Sequence, residues 1–568
     1  MKFMKLGMHP DTFYTEEATR TLISEIPTDL TIQIHGISYH LHKYSLLPKC
    51  GLLQRLFSEK DDVSVDLHDV PGGEEAFELC AKFCYGITIN LSAHNFVPAF
   101  CAANFLRMTE KVENGNLITK LEAFFSSCIL QGWRDSLITL QNAERMYDWS
   151  ENLGIVRRSI ESIVDKILTP PTKVTWSYTY TRLGYVRKRR ESVPKDWWTE
   201  DISCLGIDLF SSIVTTISST NMLQPRLIGE ALHVYAHCWL LDISESRTNE
   251  SSKRRILETI VSLIPTEKGS VSFKFLLRLL STANFLGASP VTKAELLRLS
   301  GLQLDEATLD DLLLPTKPPS SKTSHDIDLV KTVLRSFLRQ WKKQTSASES
   351  QPLKLLHKVG KLIDFYLQVV AKDAKMPAQK MVALIETLPG IARPQHDHLY
   401  KAINIYLKEH QDVSKADKKQ LCSFLDCQKL SPEVRSHAVK NERLPLRTVV
   451  QVLFFEQEKS STTTDRNHTS SQQLQTTSVI RDDLSKLKLS EAEEKSSKAN
   501  GTRSEVLMHQ SSKKLDDKPQ VTQELSFKIK SETEKEREIA GDRIHGAQIN
   551  PHNKAQMKSV SKMAHIKR

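Results

Sequence analysis

Two histidines one helical turn apart, His233 and His237, with Cys238 beside them, form the spacing in this sequence that comes nearest to a metal site. An i, i+4 pair puts both imidazoles on one helix face, the arrangement that can hold Zn²⁺ when two further ligands approach. No fourth ligand stands nearby, so the three residues read as structural. His396-Asp397-His398 follows Pro394 and precedes a helical pattern. It reads as helix-start chemistry with Asp397 as a cap, since a carboxylate there accepts an orphan backbone N–H. Cys80 and Cys84 lie one turn apart beside Phe77 and Phe83, and Cys422 and Cys427 have no useful ligand spacing. All four read as small apolar packing residues. Phosphate-loop, dinucleotide-fold, nucleophile-elbow, H-E-x-x-H and paired C-x-x-C patterns are all missing, so no enzyme and no cofactor is expected.

Charge offers other chemistry. The run Arg187-Lys188-Arg189-Arg190 follows Trp176, Tyr178 and Tyr180. Basic residues interleaved with aromatics can grip nucleic acid or serve as a nuclear address. Without a recognition fold, a solvated linker is the favoured reading and nucleic acid is not an expected partner. Near the end of the chain, Met557, Val560, Met563 and Ala564 fall within an arc of about 120° on a helical projection. Lys554, Lys558 and Lys562 lie opposite, and no acidic residue follows Pro551. Such a segment suits an anionic membrane surface, and a disordered basic end explains it equally well. Ser559 and Ser561 stand among those lysines, where phosphorylation would oppose membrane binding.

The elements that must position these residues change character along the chain. Leu30–Ile34 and Ile37–Leu41 alternate with period two around His35-Gly36, predicting a β-hairpin. Val63–Leu67 reads as a third strand, and between and after these the period shifts toward 3.6 through Leu46, Leu52, Leu53, Leu56 and Phe57, then Ala76, Leu79, Cys80 and Phe83. Beyond residue 90 almost every patterned stretch is helical, as in Leu227–Trp239, Phe273–Phe285, Leu353–Val370 and Leu399–Lys408. Breaks fall at 168–196, 315–326 and 344–352, where Pro and Ser clusters stop the helices.

Composition sets the frame. The chain has 568 residues, 39% of them apolar, and a net charge of +10. From Ser461 onward there are 20 Lys+Arg, 15 Asp+Glu and one aromatic, Phe527. A segment so poor in apolar groups cannot offset a chain entropy of about 1–2 kcal/mol per residue, so a disordered tail is expected. No run of 18 apolar residues occurs, which excludes a spanning helix. The start of the chain has no secretion-type pattern, and nine scattered cysteines fit reduced thiols in a cytosolic protein.

Several segments together resemble a known family. Asp29-Leu30-Thr31-Ile32-Gln33-Ile34, then His42-Lys43 with Leu46 and the helical Leu52–Phe57, resemble the opening of a BTB/POZ domain. Asp196-Trp197-Trp198-Thr199-Glu200-Asp201, Leu227-Ile228-Gly229-Glu230, Leu399-Tyr400-Lys401 through His410, Asp426-Cys427-Gln428-Lys429, Asn441–Arg447 and Gln451–Gln457 follow in order. They are similar to the plant non-phototropic hypocotyl / root phototropism family, over roughly residues 25 to 457. The organisation expected is an N-terminal extension (1–26), a BTB/POZ domain of α+β fold (27–130), a helical connector with a basic linker (131–195), a mainly α-helical family domain (196–457) and a disordered basic tail (458–568).

The resemblance implies a non-enzymatic substrate adaptor that dimerises through the BTB module and docks a cullin-3-class scaffold of a RING ubiquitin ligase. Its ubiquitination substrate is unknown, and a phototropin-type receptor kinase is an implied partner in blue-light or auxin-linked signalling. The alternative is a membrane-associated scaffold without ubiquitin transfer; a nuclear regulator is a weaker third reading. The implied location is cytoplasmic and peripheral at the plasma membrane. Asp29 and Lys43 match the acidic and basic positions of a charged pocket in other BTB domains, although an ordinary strand-end salt bridge would explain them too. Leu52, Leu53, Leu56 and Phe57 are the apolar residues expected at the dimer contact. Asn404 and Gln411 replace the family's usual Asp and Pro, with effects expected only at helix ends. Ile566 stands where some members carry a phosphorylatable Ser that recruits 14-3-3 proteins, so that mode is not expected here.

Overall fold

The computed structural model describes residues 1–58, 64–181, 193–240, 250–315, 325–344 and 350–461. The run Arg187–Arg190 and the expected tail from residue 462 on, with Lys554, Met557, Lys558, Ser559, Val560, Ser561, Lys562 and Met563, lie outside the described residues, while 458–461 continue the helix Leu446–Ser461.

The N-terminal module is built on the predicted hairpin. Strands β4 (Leu30–Ile34) and β5 (Ile37–Leu41) pair antiparallel with Ile34 opposite Ile37. His35 and Gly36 both have positive φ, at 47° and 84°. Two such residues form the tight turn whose twist matches the flanking strands, and Gly36 takes that geometry without steric cost. The alternation places Leu30, Ile32, Ile34, Tyr39 and Leu41 in the core.

Around the hairpin the sheet is larger than the sequence pattern indicates. Strands β1 (Met4–Leu6), β2 (Phe13–Glu16) and β3 (Thr19–Leu22) come from the first 26 residues, with β6 (Ser64–Asp66) and β7 (Ile89–Leu91) further on. Five strands order as β2-β3-β5-β4-β6, and β1 pairs with β7 in a separate two-stranded ribbon. The first 26 residues therefore extend the module's own sheet. Their strands are short and half exposed, so the period-two signal is too weak to read. Helix Phe96–Phe105 lies almost wholly buried against this module, with Phe96 stacked on Phe100 and Phe125. A helix apolar on all sides belongs in the centre of a core.

From Leu117 to residue 461 the described chain is helical throughout, apart from short connections and an isolated β-bridge between Pro315 and His325. The α+β module followed by a mainly helical domain is the expected architecture. The predicted helices appear as Pro225–Leu240, Phe273–Phe285, Ser350–Val370 and Asp397–Glu409. Local signals fix several starts. Ser272, Ser289, Ser414 and Ser431 each accept a backbone N–H three residues on, and Pro290 and Pro432 follow two of these caps. Pro is tolerated there because its missing donor would have no intrahelical partner anyway. Gly229 sits inside a helix where a Cβ would collide with the Ser270 carbonyl. It lets that helix approach the following chain closely, which outweighs the helix propensity that glycine sacrifices. Among the described residues no helix is long and apolar enough to cross a membrane.

Candidate interaction surfaces

The sequence pairs Asp29 with Lys43, and the structure brings the two together through the backbone. Asp29 precedes β4 and its Oδ1 accepts the Lys43 backbone N–H at 2.7 Å. The carboxylate thus satisfies an orphan donor at the start of the short helix Lys43–Leu46. The Lys43 ammonium lies 5.0 Å from the centroid of the Phe57 ring. Beneath this exposed junction sits a fully buried His42. Its Nε2 is 2.9 Å from the Ile26 carbonyl and its Nδ1 is 3.1 Å from the Tyr85 hydroxyl, which also accepts the His42 backbone N–H. A carbonyl can only accept, so Nε2 carries the ring proton and Tyr85 donates to Nδ1. Burial pushes the Tyr85 phenol up, so it keeps the proton it donates.

Close to this junction the module exposes Ile23, Ile26 and Tyr44, each more than half accessible. Of the residues expected at a dimer contact, Leu53 is completely buried within the module, while Leu52, Leu56 and Phe57 are half-buried against its core. Leu53 is therefore a core residue and is unavailable to a partner.

The motif Asp196–Asp201 works as a clasp. Trp197 and Trp198 are buried, and Trp197 meets Trp133, Trp176 and Tyr178 with ring centroids 4.6, 5.6 and 5.5 Å away. Asp201 Oδ2 accepts the Trp133 indole N–H at 2.7 Å and the Thr179 backbone N–H at 3.3 Å. Asp196 accepts the Tyr180 hydroxyl, and Glu200 accepts both the N–H and the hydroxyl of Thr181. The aromatics that could have stacked on bases are thus committed to packing and hydrogen bonding within the chain. The expected break at 168–196 is, up to Thr181, a docked segment.

Beside the clasp, a cleft of about 590 Å³ is lined by Glu200, Asp201, Glu230, His233, His237 and Cys238 among others. His233 packs edge-on against Phe275, and the Cys238 thiol lies 3.6 Å from the Ser203 hydroxyl. Among the described residues no three His, Cys, Asp or Glu side chains stand where they could hold a metal.

A third cluster joins the segment around residues 390–398 to the end of the domain. Arg393 and Asp364 form a buried ion pair at 2.9 Å. His396 is buried, its Nδ1 accepts the Asp426 backbone N–H at 3.0 Å, and burial with nearby Lys429 and Arg393 lowers its pKa to about 4. Asp397 is the first residue of its helix and not its cap, and it accepts the Ser431 backbone N–H instead. Asn441 donates to Tyr400 at 3.1 Å and to Asn404 at 2.9 Å, and Tyr400 shares a 2.7 Å hydrogen bond with His437. Asn404 therefore stands mid-helix within a polar network, a correction to the helix-end role expected of it. Cys80, Cys84, Cys422 and Cys427 are buried free thiols, and burial pushes Cys80, Cys422 and Cys427 up. Sequence spacing gave no hint of the Asp201–Trp133, His42–Tyr85 or Arg393–Asp364 contacts, since their partners lie 68, 43 and 29 residues apart.

The comparisons with known proteins agree with this organisation. The model of the NPH3 family matches residues 196–434, beginning at the clasp. The BTB/POZ domain-containing protein At5g47800 of Arabidopsis thaliana is 56% identical over 493 residues, covering 84% of this chain and 88% of that one. The Phototropic-responsive NPH3 family protein NPY1 of the same plant is 40% identical over 479 residues (80% and 82% covered). Root phototropism protein 3, also from that plant, is 35% identical over 574 residues (80% and 77%). No solved structure matches the chain. With an α+β module ahead of the matched helical region and similarity along most of its length, the chain belongs to the NPH3 family.

Proposed function

We propose that the chain is a substrate adaptor of a cullin-3-class RING ubiquitin ligase, acting in blue-light or auxin-linked signalling. The carrying observation is the joining of the α+β module to the helical region in one chain, similar over most of its length to relatives named BTB/POZ domain-containing and Phototropic-responsive NPH3 family proteins. In this reading the module docks the cullin and forms a homodimer, with Asp29 and Lys43 in its charged pocket, and the helical domain presents the substrate. A phototropin-type receptor kinase is the proposed upstream partner. The proposed place of action is the cytoplasmic face of the plasma membrane, reached by surface contact of Lys554, Lys558 and Lys562. The test is direct binding of the purified full chain to a purified cullin-3-class N-terminal region, measured by calorimetry. A defined stoichiometry supports the reading, and no heat at micromolar concentrations would sink it.

A further inference from the structure

The helix Ser350–Val370 buries Leu356, Val359, Ile363, Tyr366 and Leu367. Its opposite face carries Lys354, Lys358 and Lys361 at i, i+4 and i+7, all three exposed. Side chains at that spacing are neighbours in one row, and like charges there destabilise a helix. The usual remedy, an acidic residue one turn away, is missing. The helix has one carboxylate, Asp364, which is buried and held by Arg393. Among the described residues none of the three lysines is in an ion pair.

Carboxylates on the neighbouring elements are engaged elsewhere. Asp305 and Glu306 pair with Lys268 at 2.9 and 3.2 Å, and Asp311 accepts from Thr308 at the start of its own short helix. Asp310 is exposed on that short helix, in no ion pair with the lysines. Lys401, on the adjacent helix Asp397–Glu409, adds a further exposed ammonium. Burial, then Lys361 and Lys401, hold the His398 imidazole below its usual range, so the two lysines converge on that ring. Beside the row opens a pocket of about 170 Å³. Its walls are Leu304, Ala307, Val359, Leu362 and Phe365, and Lys358 and Lys361 line it as well. That volume falls below the roughly 300–1,000 Å³ of a small-molecule site and suits a single apolar side chain.

We infer that this face of the helical domain binds an acidic peptide segment of a partner protein. One apolar side chain of the peptide enters the pocket, and its carboxylates lie along Lys354, Lys358 and Lys361. The negative charge offsets the like-charge row, and the buried anchor supplies the register that charge alone does not. For the partner's role this rests on the adaptor reading, in which the peptide is the recognised part of the substrate; binding itself needs no cullin.

Panning a phage library of random dodecapeptides on the full chain tests this, with a Lys354→Ser, Lys358→Ser, Lys361→Ser chain as the counter-sample. Enriched peptides should combine several Asp or Glu with one bulky apolar residue, and should be lost on the variant. In fluorescence polarisation, one labelled enriched peptide should bind the variant about tenfold more weakly. Changing its apolar residue to alanine should weaken binding to the wild-type chain about tenfold. No acidic pattern among the enriched peptides, or enrichment that the variant retains, would overturn the proposal, as would an alanine peptide that binds as well as its parent. Sedimentation of the wild-type chain but not the variant with phosphatidylserine vesicles, without any enriched peptide, would assign the lysines to a membrane and overturn it too. Peptide binding by a chain that gives no heat with the cullin region would uphold this site and remove the adaptor reading. Should the variant fail to fold, the alanine-peptide comparison on the wild-type chain decides.

Discussion

Two buried groups near residue 395 have consequences that a denaturation curve can read. Arg393 and Asp364 are 5% and 3% accessible at the side chain. Removing one partner leaves the other charge buried and uncompensated, which costs about 3–5 kcal/mol, whereas replacing both with packed apolar groups is often close to neutral. Arg393→Ala is therefore expected to destabilise by that amount, and an Arg393→Met, Asp364→Leu pair by much less, as measured in urea. His396 predicts a pH dependence. Its Nδ1 is occupied by the Asp426 N–H, so a second proton must displace that bond in a buried site already near Lys429 and Arg393. With a folded pKa lowered to about 4 from an ordinary 6.5, the unfolded chain binds the proton more readily. The contribution is present above pH 6.5 and is lost as pH falls through 4, to a total of about 3 kcal/mol. His396→Gln should flatten that part of the stability profile between pH 7 and pH 4. An unchanged slope would show that His396 does not titrate in this window.

At the scale of elements, the clasp explains why the segment 174–181 is held along the helical domain. Asp201 gathers the Trp133 indole and the Thr179 amide at one carboxylate oxygen. Without it, both donors lose an acceptor, one of them on a buried tryptophan, and hydrogen bonds to a charged group are worth about 1.5–3 kcal/mol each. Asp201→Ala should release Trp176–Thr181, seen as faster amide exchange in that segment, with a global loss of about 3–6 kcal/mol for the two bonds. Exchange left at wild-type rates would mean that the ring contacts of Trp197 suffice. The same elements show what a sequence reveals. The hairpin at His35-Gly36 and helices such as Phe273–Phe285 were legible because their period, turn residues and caps are local. Strands β1, β2, β3 and β7 were not, because three or four residues carry almost no periodicity, and β1 and β7 pair only with each other, Met4 opposite Leu91. Asp397 looked like a cap for its own helix but serves Ser431, since a carboxylate at a helix start can equally satisfy a neighbouring turn.

For the whole molecule, the module and the helical domain were legible as a change of period from two to 3.6, and the family from long motifs in order. The clasp residues were visible as a motif, but their role was not, because Trp133, Trp176 and Trp197 meet only in the folded chain. Assembly belongs to this scale. Exposed Ile23, Ile26 and Tyr44 near the Asp29 junction make an apolar surface that a second copy would cover. The full chain is predicted to be a dimer in light scattering at micromolar concentration, and Tyr44→Glu with Ile26→Glu should give monomer with an unchanged thermal transition. A wild-type monomer would remove the proposed homodimer.

The proposed coupling of a substrate to a cullin is a property of the whole chain. It is tested most directly by purifying the tagged full-length chain from plant tissue and identifying what accompanies it by mass spectrometry. A cullin-3-class subunit with its RING partner is expected in the eluate; a receptor kinase recovered without any cullin would overturn the proposed coupling.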